Sequence, residues 1–329
     1  MDERVNAAGS AAGRPGGWQW SACAASVTGA EHQRRGLGCD DAYSYGTTGD
    51  FVVAAVADGA GSVSGTSAWG AHAACQSVLD HAMLPEFVRD FHAASVEGSA
   101  QLQWLFERAL EAVRGRAATL GRDPALLSTT LCVGVADRRR AVFGQIGDGV
   151  IAVEQDTGEG TRISTLLIEV KDDYANTTVF LQSPRAFEES FRTATVTGVT
   201  AFALSTDGMS YKITNVSTGE AYEPFFRGSW EHVRSGASAA HLAALLRGIE
   251  DDQTGDDKTM VLAAIRWEED AFFPSARPLV RTLVSSPAPP ELEPPEPGAV
   301  PQESEQVTDQ MSVPTSGRLR RLFGGRGRQ

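Results

Sequence analysis

The chain has 329 residues, 42% of them hydrophobic, and a formal net charge of −13. That length holds one large domain or two ordinary ones with an ample core, and the negative charge excludes a nucleic-acid binder, which needs a cationic surface. Four scattered cysteines, Cys23, Cys39, Cys75 and Cys132, form no C-x-x-C pair, which argues against structural zinc or a disulfide framework and for reduced thiols in the cytoplasm.

Residues 1–17 are rich in Ala and Gly and are expected to be disordered. Their charged start is followed by no apolar stretch, so no signal peptide is expected, and no run approaches the length of a membrane span. Residues 18–28 partly alternate and predict a first strand. A loop with Arg34, Arg35, Gly36 and Gly38 leads to Cys39-Asp-Asp-Ala-Tyr43. Residues 51–57, Phe-Val-Val-Ala-Ala-Val-Ala, read as a buried strand that ends on Asp58. Gly59 and Gly61 are then expected to turn the backbone through conformations that a side chain forbids.

Apolar residues at helical spacing predict helices over 66–83, capped by Thr66 or Ser67, and over 101–120. Residues 131–136 and 141–146 predict a hairpin around Asp137-Arg-Arg-Arg140. Gly147-Asp-Gly149 turns the chain into a strand at 150–154. Residues 156–192 are mixed and polar, with short strands at most. A single strand over 196–205 ends in Thr206-Asp-Gly-Met209, a helix follows over 238–250, and Thr254-Gly-Asp-Asp-Lys-Thr259 enters a last strand at 260–267. From about residue 285 Pro and Glu dominate, and the end of the chain is rich in Arg. Neither composition builds a core. The expected organisation is a disordered 1–17, a folded domain over 18–270, and a Pro/Glu-rich linker with an Arg-rich tail over 271–329.

Acidic residues recur at strand–turn junctions: Asp40 and Asp41, Asp58, Asp148, Asp207, and the pair Asp256 and Asp257. One Asp-Gly is merely a turn. Several apolar strands that each present an Asp at one end suggest a shared acidic pocket, which repels itself unless cations fill it. Hard oxygen ligands without His or Cys point to Mg²⁺ or Mn²⁺ rather than zinc. Two such ions close together ionise a bridging water and neutralise phosphate charge, so the chemistry points to a two-metal phosphohydrolase.

The succession Cys39-Asp-Asp-Ala42, Val56-Ala-Asp-Gly-Ala-Gly61, Ser128-Thr-Thr130, Gly147-Asp-Gly149, Ser205-Thr-Asp-Gly208 and Asp256-Asp-Lys-Thr259 resembles the metal-dependent Ser/Thr protein phosphatases, the PPM or phosphatase 2C-like family. It is most similar to a bacterial subgroup, which shares Gly29-Ala-Glu-His32 and Tyr174-Ala-Asn-Thr-Thr-Val-Phe180. The resemblance runs from about residue 20 to 266. It implies an α+β fold, a four-layer α/β/β/α sandwich of two antiparallel sheets flanked by helices. It also implies hydrolysis of phosphoserine and phosphothreonine by in-line attack of a metal-bridging hydroxide. In that resemblance Asp58 bridges two metals, the Gly59 carbonyl joins one of them, and Asp207 with Asp256 holds the second. Asp41 and Asp40 act through metal-bound waters, and Asp148 supports a third, looser ion. Asp257 stands where many members have Asn, either behind the ligands or sharing their role.

Two departures stand out. Ala60 occupies the place where some members carry a His that protonates the leaving alkoxide. Gly36 occupies the place of an Arg that grips substrate phosphate, leaving His32, Arg34 or Arg35 as replacements. The implied partners are phosphorylated proteins opposed by a Ser/Thr kinase. The polar stretch 156–192 forms the family's flap, whose Arg162, Lys171, Arg185 or Arg192 either steers a phosphopeptide or is simply solvated. The Arg-rich tail is either solvated or contacts an acidic partner, the acidic body of this chain or an anionic membrane. The alternative to an enzyme is a weak or inactive module that binds a phosphorylated partner or a kinase; the loss of His at Ala60 favours it, and the retained aspartates oppose it. Neither a dinucleotide fingerprint, a G-x-S-x-G elbow, a P-loop nor H-E-x-x-H is present.

Overall fold

A computed structural model describes residues 17–60, 65–168, 178–215, 217–236, 238–249 and 254–268, all within the first of two compact units, Met1–Pro289. Residues 1–16, Gly61, Lys171, residues 174–177 of the subgroup motif and the whole of 269–329 lie outside the described residues, so the expected disordered start, linker and tail do too.

The strands are β1 (Gly17–Val27), β2 (Ala42–Thr48), β3 (Phe51–Ala57), β4 (Leu131–Ala136), β5 (Arg140–Ile146), β6 (Val150–Asp156), β7 (Thr161–Leu166), β8 (Arg192–Thr197), β9 (Val199–Ser205) and β10 (Lys258–Glu268). They form two five-stranded sheets, ordered β1-β10-β9-β6-β7 and β2-β3-β4-β5-β8. Every pairing is antiparallel. The helices are α1 (Ala30–Arg34), α2 (Ser67–Ala82), α3 (Pro85–Ala93), α4 (Gly98–Thr119), α5 (Ala186–Glu189), α6 (Ser210–Ile213), α7 (Glu223–Arg234) and α8 (Ala239–Gly248).

Why β3 is apolar at every position follows from the pleat. Successive side chains point to opposite faces, and both faces of this strand are covered. Phe51, Val53, Ala55 and Ala57 pack with α2, α3 and α4 on the outer face. Val52, Ala54 and Val56 face the other sheet and meet Phe202, Leu204 and Val261. The first sheet repeats the division: Met260, Leu262 and Ala264 of β10 pack under α7 and α8, while Val261 and Ala263 face inward. Three apolar layers therefore separate four structural layers, helices, sheet, sheet and helices, as the resemblance implied. Phe143 and Phe202 cross edge to face in the central layer with centroids 5.4 Å apart. They fit because Gly134 beneath them has no Cβ, which would lie 3.0 Å from the Phe143 ring. On the outer side Trp230 is fully buried and donates its indole N–H to the Phe202 carbonyl at 3.0 Å.

The structure differs from the sequence reading at identifiable places. Residues 196–205 are not one strand: they divide at Gly198, where φ is +71°. β8 ends one sheet and β9 enters the other, and a Cβ on Gly198 would stand 2.6 Å from the Asp156 carbonyl. A left-handed residue with a carbonyl pressed against it must be glycine. Residues 42–48 and the helices α1, α3 and α7 were not anticipated. Thr66 occupies the N-cap of α2, yet neither it nor Ser67 caps the helix with its side chain. The Thr66 hydroxyl donates to the Leu126 carbonyl, and that of Ser67 donates to the Asp40 carboxylate. The four cysteines are all free. No helix among the described residues is long and apolar enough to cross a membrane.

Candidate metal centre

The strand registers collect the aspartates at one end of the sandwich. Ala42 pairs with Ala57, so Asp41 and Asp58, one residue beyond each strand, stand at the same edge. Ser205 pairs with Met260 on one side and Val150 on the other, which brings Asp207, the 256–257 pair and the 147–149 turn to that edge as well. Asp58, Asp207 and Asp256 converge most closely: one carboxylate oxygen from each lies within 4.8 Å of the other two. All three are half-buried.

The backbone around Asp58 is held by its neighbours. The Asp58 N–H donates to Thr130 Oγ1 at 3.0 Å, and its carbonyl accepts from the Thr130 N–H at 2.8 Å and from Thr129 Oγ1 at 2.9 Å. Gly59 forms an antiparallel bridge with Thr129, and the Ala60 N–H donates to the Ser128 carbonyl. The Gly59 φ is ordinary; what glycine provides here is room, not an unusual turn. A Cβ would lie 2.6 Å from the Asp40 carbonyl and 2.9 Å from Ser67. Gly208 is similar, for a Cβ there would stand 1.9 Å from the Asp257 carbonyl. The two Asp-Gly pairs thus let neighbouring backbones press against the acidic group.

Behind the three converging carboxylates lie buried ones. Asp41 Oδ2 accepts from Thr206 Oγ1 at 2.8 Å, and Asp40 Oδ2 accepts from Ser67 Oγ at 2.8 Å. Asp257 is the best partnered: Oδ1 accepts the Gly29 N–H at 2.7 Å, and Oδ2 accepts the Asp40 N–H at 2.6 Å and faces His32 Nδ1 at 2.9 Å. Its oxygens tie together α1, the approach to β2 and the approach to β10. These bonds favour, of the two roles open to Asp257, the one behind the ligands, since three of its acceptor sites are already taken. The adjacent Asp256 turns toward Asp58 and Asp207 instead.

Burial pushes the Asp58 carboxyl well above its ordinary range, and the charges of Asp41, Asp207 and Asp256 push the same way. Burial also raises Asp41, followed by the charge of Asp257, against hydrogen bonds from Thr206 and Thr259. Asp40 is raised by burial, against hydrogen bonding from Ser67 and the nearby His32. So many carboxylates resist ionising together, and a divalent cation inverts that balance. All the donors are hard oxygens, which fits Mg²⁺ or Mn²⁺ and does not fit a thiolate- or imidazole-bound metal.

The family model described as Protein phosphatase 2C matches residues 28–247, well over half of the chain. The chain belongs to the protein phosphatase 2C family. Similar solved structures include a serine-threonine phosphatase 2C from Toxoplasma gondii, at 14% identity, covering 75% of this chain and 95% of that one, with a TM-score of 0.48. The catalytic domain of the serine threonine protein phosphatase PstP, in complex with 2 manganese ions, matches at 16% identity over 76% of this chain and 100% of that one, with a TM-score of 0.47. RsbX in complex with magnesium matches at 16% identity over 75% and 96%, with a TM-score of 0.42. No curated protein sequence matches significantly.

Not every expected site residue of this phosphatase 2C domain converges on the three carboxylates. Asp148 stands outside that group, and its Oδ2 accepts from Thr178 Oγ1 at 2.9 Å. Its loop is pinned on both sides: Arg192 donates to the Gly147 carbonyl at 2.8 Å, and the Gln145 amide donates to the carbonyls of Gly147 and Gly149. Arg192 is therefore part of the scaffold under Asp148. Arg185 pairs with Glu188 and Glu189. Arg34 forms a surface ion pair with Glu31, and Arg35 is exposed at the end of α1. His32 is buried against Asp257, which occupies its Nδ1. The supporting Ser67, Thr206, Gln145 and Thr178 escaped the sequence reading. The signals available were a Thr directly before Asp-Gly at 206–208 and the place of Thr178 in the 174–180 motif; Gln145 carried none.

Proposed function

We propose that this phosphatase 2C family member hydrolyses phosphoserine and phosphothreonine on proteins with two Mn²⁺ or Mg²⁺ ions. The observation that carries the reading is the convergence of Asp58, Asp207 and Asp256 within 4.8 Å. Chain segments so far apart have no folding reason to aim three carboxylates at one point, where they destabilise each other. Bound divalent cations supply a lowered water pKa and neutralise charge on the transferred phosphoryl group.

The chain's own residues carry the rest. Asp58, from the sheet of β3, and Asp207 and Asp256, from the sheet of β9 and β10, are the ligands, with the Gly59 carbonyl beside Asp58. Asp41 and Asp40, held by Thr206 and Ser67, would supply buried negative charge behind them and acceptors for water on a bound ion. Asp148, on its pinned loop, serves a third, weaker ion. Ala60 offers no acid to the leaving alkoxide, so that proton comes from solvent within the site. The substrates are phosphoproteins made by a Ser/Thr kinase, and the free cysteines suit the cytoplasm.

The test uses a phosphothreonine peptide with and without Mn²⁺. Phosphate release that needs Mn²⁺ and is abolished by EDTA, by Asp58→Ala and by Asp207→Ala supports the reading. Activity that survives both substitutions overturns it. Calorimetry that finds two bound Mn²⁺ ions separates an enzyme from a phosphatase-like binding module, for which none is expected.

A further inference from the structure

A cleft of about 400 Å³ opens beside the acidic group, with Asp148 and Asp207 on its wall. β6 and β7 form one side, and Ser210, Tyr211, Thr214, Asn215 and Ser217–Gly219 form the other. Apart from those two aspartates, none of its lining residues is charged among the described residues. The apolar lining includes Leu166, Ile168 and Tyr211, and the last two are 47% and 45% exposed.

The walls are built before any ligand arrives. Asn215 Oδ1 accepts from the N–H groups of Ser217 at 3.0 Å and Thr218 at 3.3 Å, which folds the loop on itself. The Tyr222 N–H donates to the Ile213 carbonyl at 2.8 Å and closes the loop's base. Thr165 Oγ1 of β7 donates to the Gly219 carbonyl at 2.6 Å and ties the two sides together. Ile168 packs so closely on Gly219, whose φ is +70°, that a Cβ there would lie 2.7 Å from it. A preformed, mostly uncharged cleft binds without having to be ordered itself.

We infer that this cleft is a specificity subsite, which takes an apolar side chain flanking the phosphorylated residue of the protein substrate and disfavours an acidic one. The inference rests on the phosphatase reading. Two features carry it. The cleft shares Asp207 with the three converging carboxylates and carries Asp148 on its wall, so a substrate whose phosphoryl reaches those carboxylates lays its neighbouring residues at the cleft mouth. An apolar side chain leaves water for Tyr211, Ile168 and Leu166, whereas a carboxylate there gives up its hydration and meets no cationic side chain among the described lining residues.

The experiment uses the full chain with Mn²⁺ and two kinds of substrate. One is p-nitrophenyl phosphate, which has no flanking residues. The other is a phosphothreonine peptide series with Leu, Ala or Glu placed in turn at each position on either side of the phosphoresidue. At one position Leu is expected to exceed Glu by about tenfold in kcat/KM, mainly through KM. Tyr211→Ala and Ile168→Ala are each expected to remove most of that preference and to leave p-nitrophenyl phosphate turnover unchanged. A flat peptide profile with intact p-nitrophenyl phosphate hydrolysis overturns the inference alone, as does a preference that both variants retain. Loss of hydrolysis of every substrate by the wild-type chain overturns the phosphatase reading, and the subsite with it.

Discussion

His32 and Asp257, 225 positions apart in the chain, face each other at 2.9 Å in the buried floor of the acidic site. The same carboxylate accepts the backbone N–H groups of Gly29 and Asp40. It works as a clamp on the backbone on both sides of the site.

That relationship separates two adjacent aspartates. Asp257→Ala strands two buried N–H donors and is expected to destabilise the protein by about 3 kcal/mol, since each buried unsatisfied group costs roughly 1–3 kcal/mol. Asp257→Asn keeps an acceptor and is expected to lose less, with its Mn²⁺ stoichiometry intact. Asp256→Asn is expected to remain folded and to lose bound Mn²⁺. Urea unfolding and Mn²⁺ calorimetry on the three variants check this, and equal Mn²⁺ loss in Asp257→Asn and Asp256→Asn would contradict it.

Mutual repulsion among Asp58, Asp207 and Asp256 weakens the metal-free protein. Asp207→Asn removes one of the charges, and at an effective dielectric near 20 this relieves on the order of 1–3 kcal/mol. The variant without metal is expected to melt a few degrees above metal-free wild type. Wild type is expected to gain about 2.7 kcal/mol at a Mn²⁺ concentration of about 100 Kd, and the variant to gain much less. Thermal melts with EDTA and with Mn²⁺ read both effects.

Thr130 holds Asp58 through its hydroxyl as well as its backbone. Thr130→Val preserves the shape and leaves the Asp58 N–H without its acceptor. A loss of about 1–2 kcal/mol in stability is expected, together with weaker Mn²⁺ binding from a less firmly placed carboxylate. A melt without metal and a Mn²⁺ titration distinguish the two contributions.

Gly198 is where the chain leaves one sheet for the other. Gly198→Ala is expected to cost about 2 kcal/mol or more, because the left-handed φ and the Asp156 carbonyl both oppose a Cβ. The site lies at another part of β9, so Mn²⁺ stoichiometry is expected to stay unchanged in the folded fraction. Chemical unfolding of the variant reads the first effect and calorimetry the second.

Much was legible in the residues alone. β3 and the β4–β5 hairpin appear at their expected positions, because strands covered on both faces read as unbroken apolar runs with turn residues between them. The recurring strand-end aspartates were legible for the same reason, since local pattern encodes which segments are buried and where each one leaves the core, whereas the fold class was what the resemblance of the motif succession to a family implied. Where those ends meet is a different matter. That Asp256 joins Asp58 and Asp207, while Asp257, one residue on, turns inward to hold Gly29, Asp40 and His32, depends on antiparallel register across two sheets. So does the division of 196–205 between them at Gly198. Neighbouring residues with the same side chain carry identical local signals, and only the packing of distant backbones around them gives one to the metal site and the other to the frame.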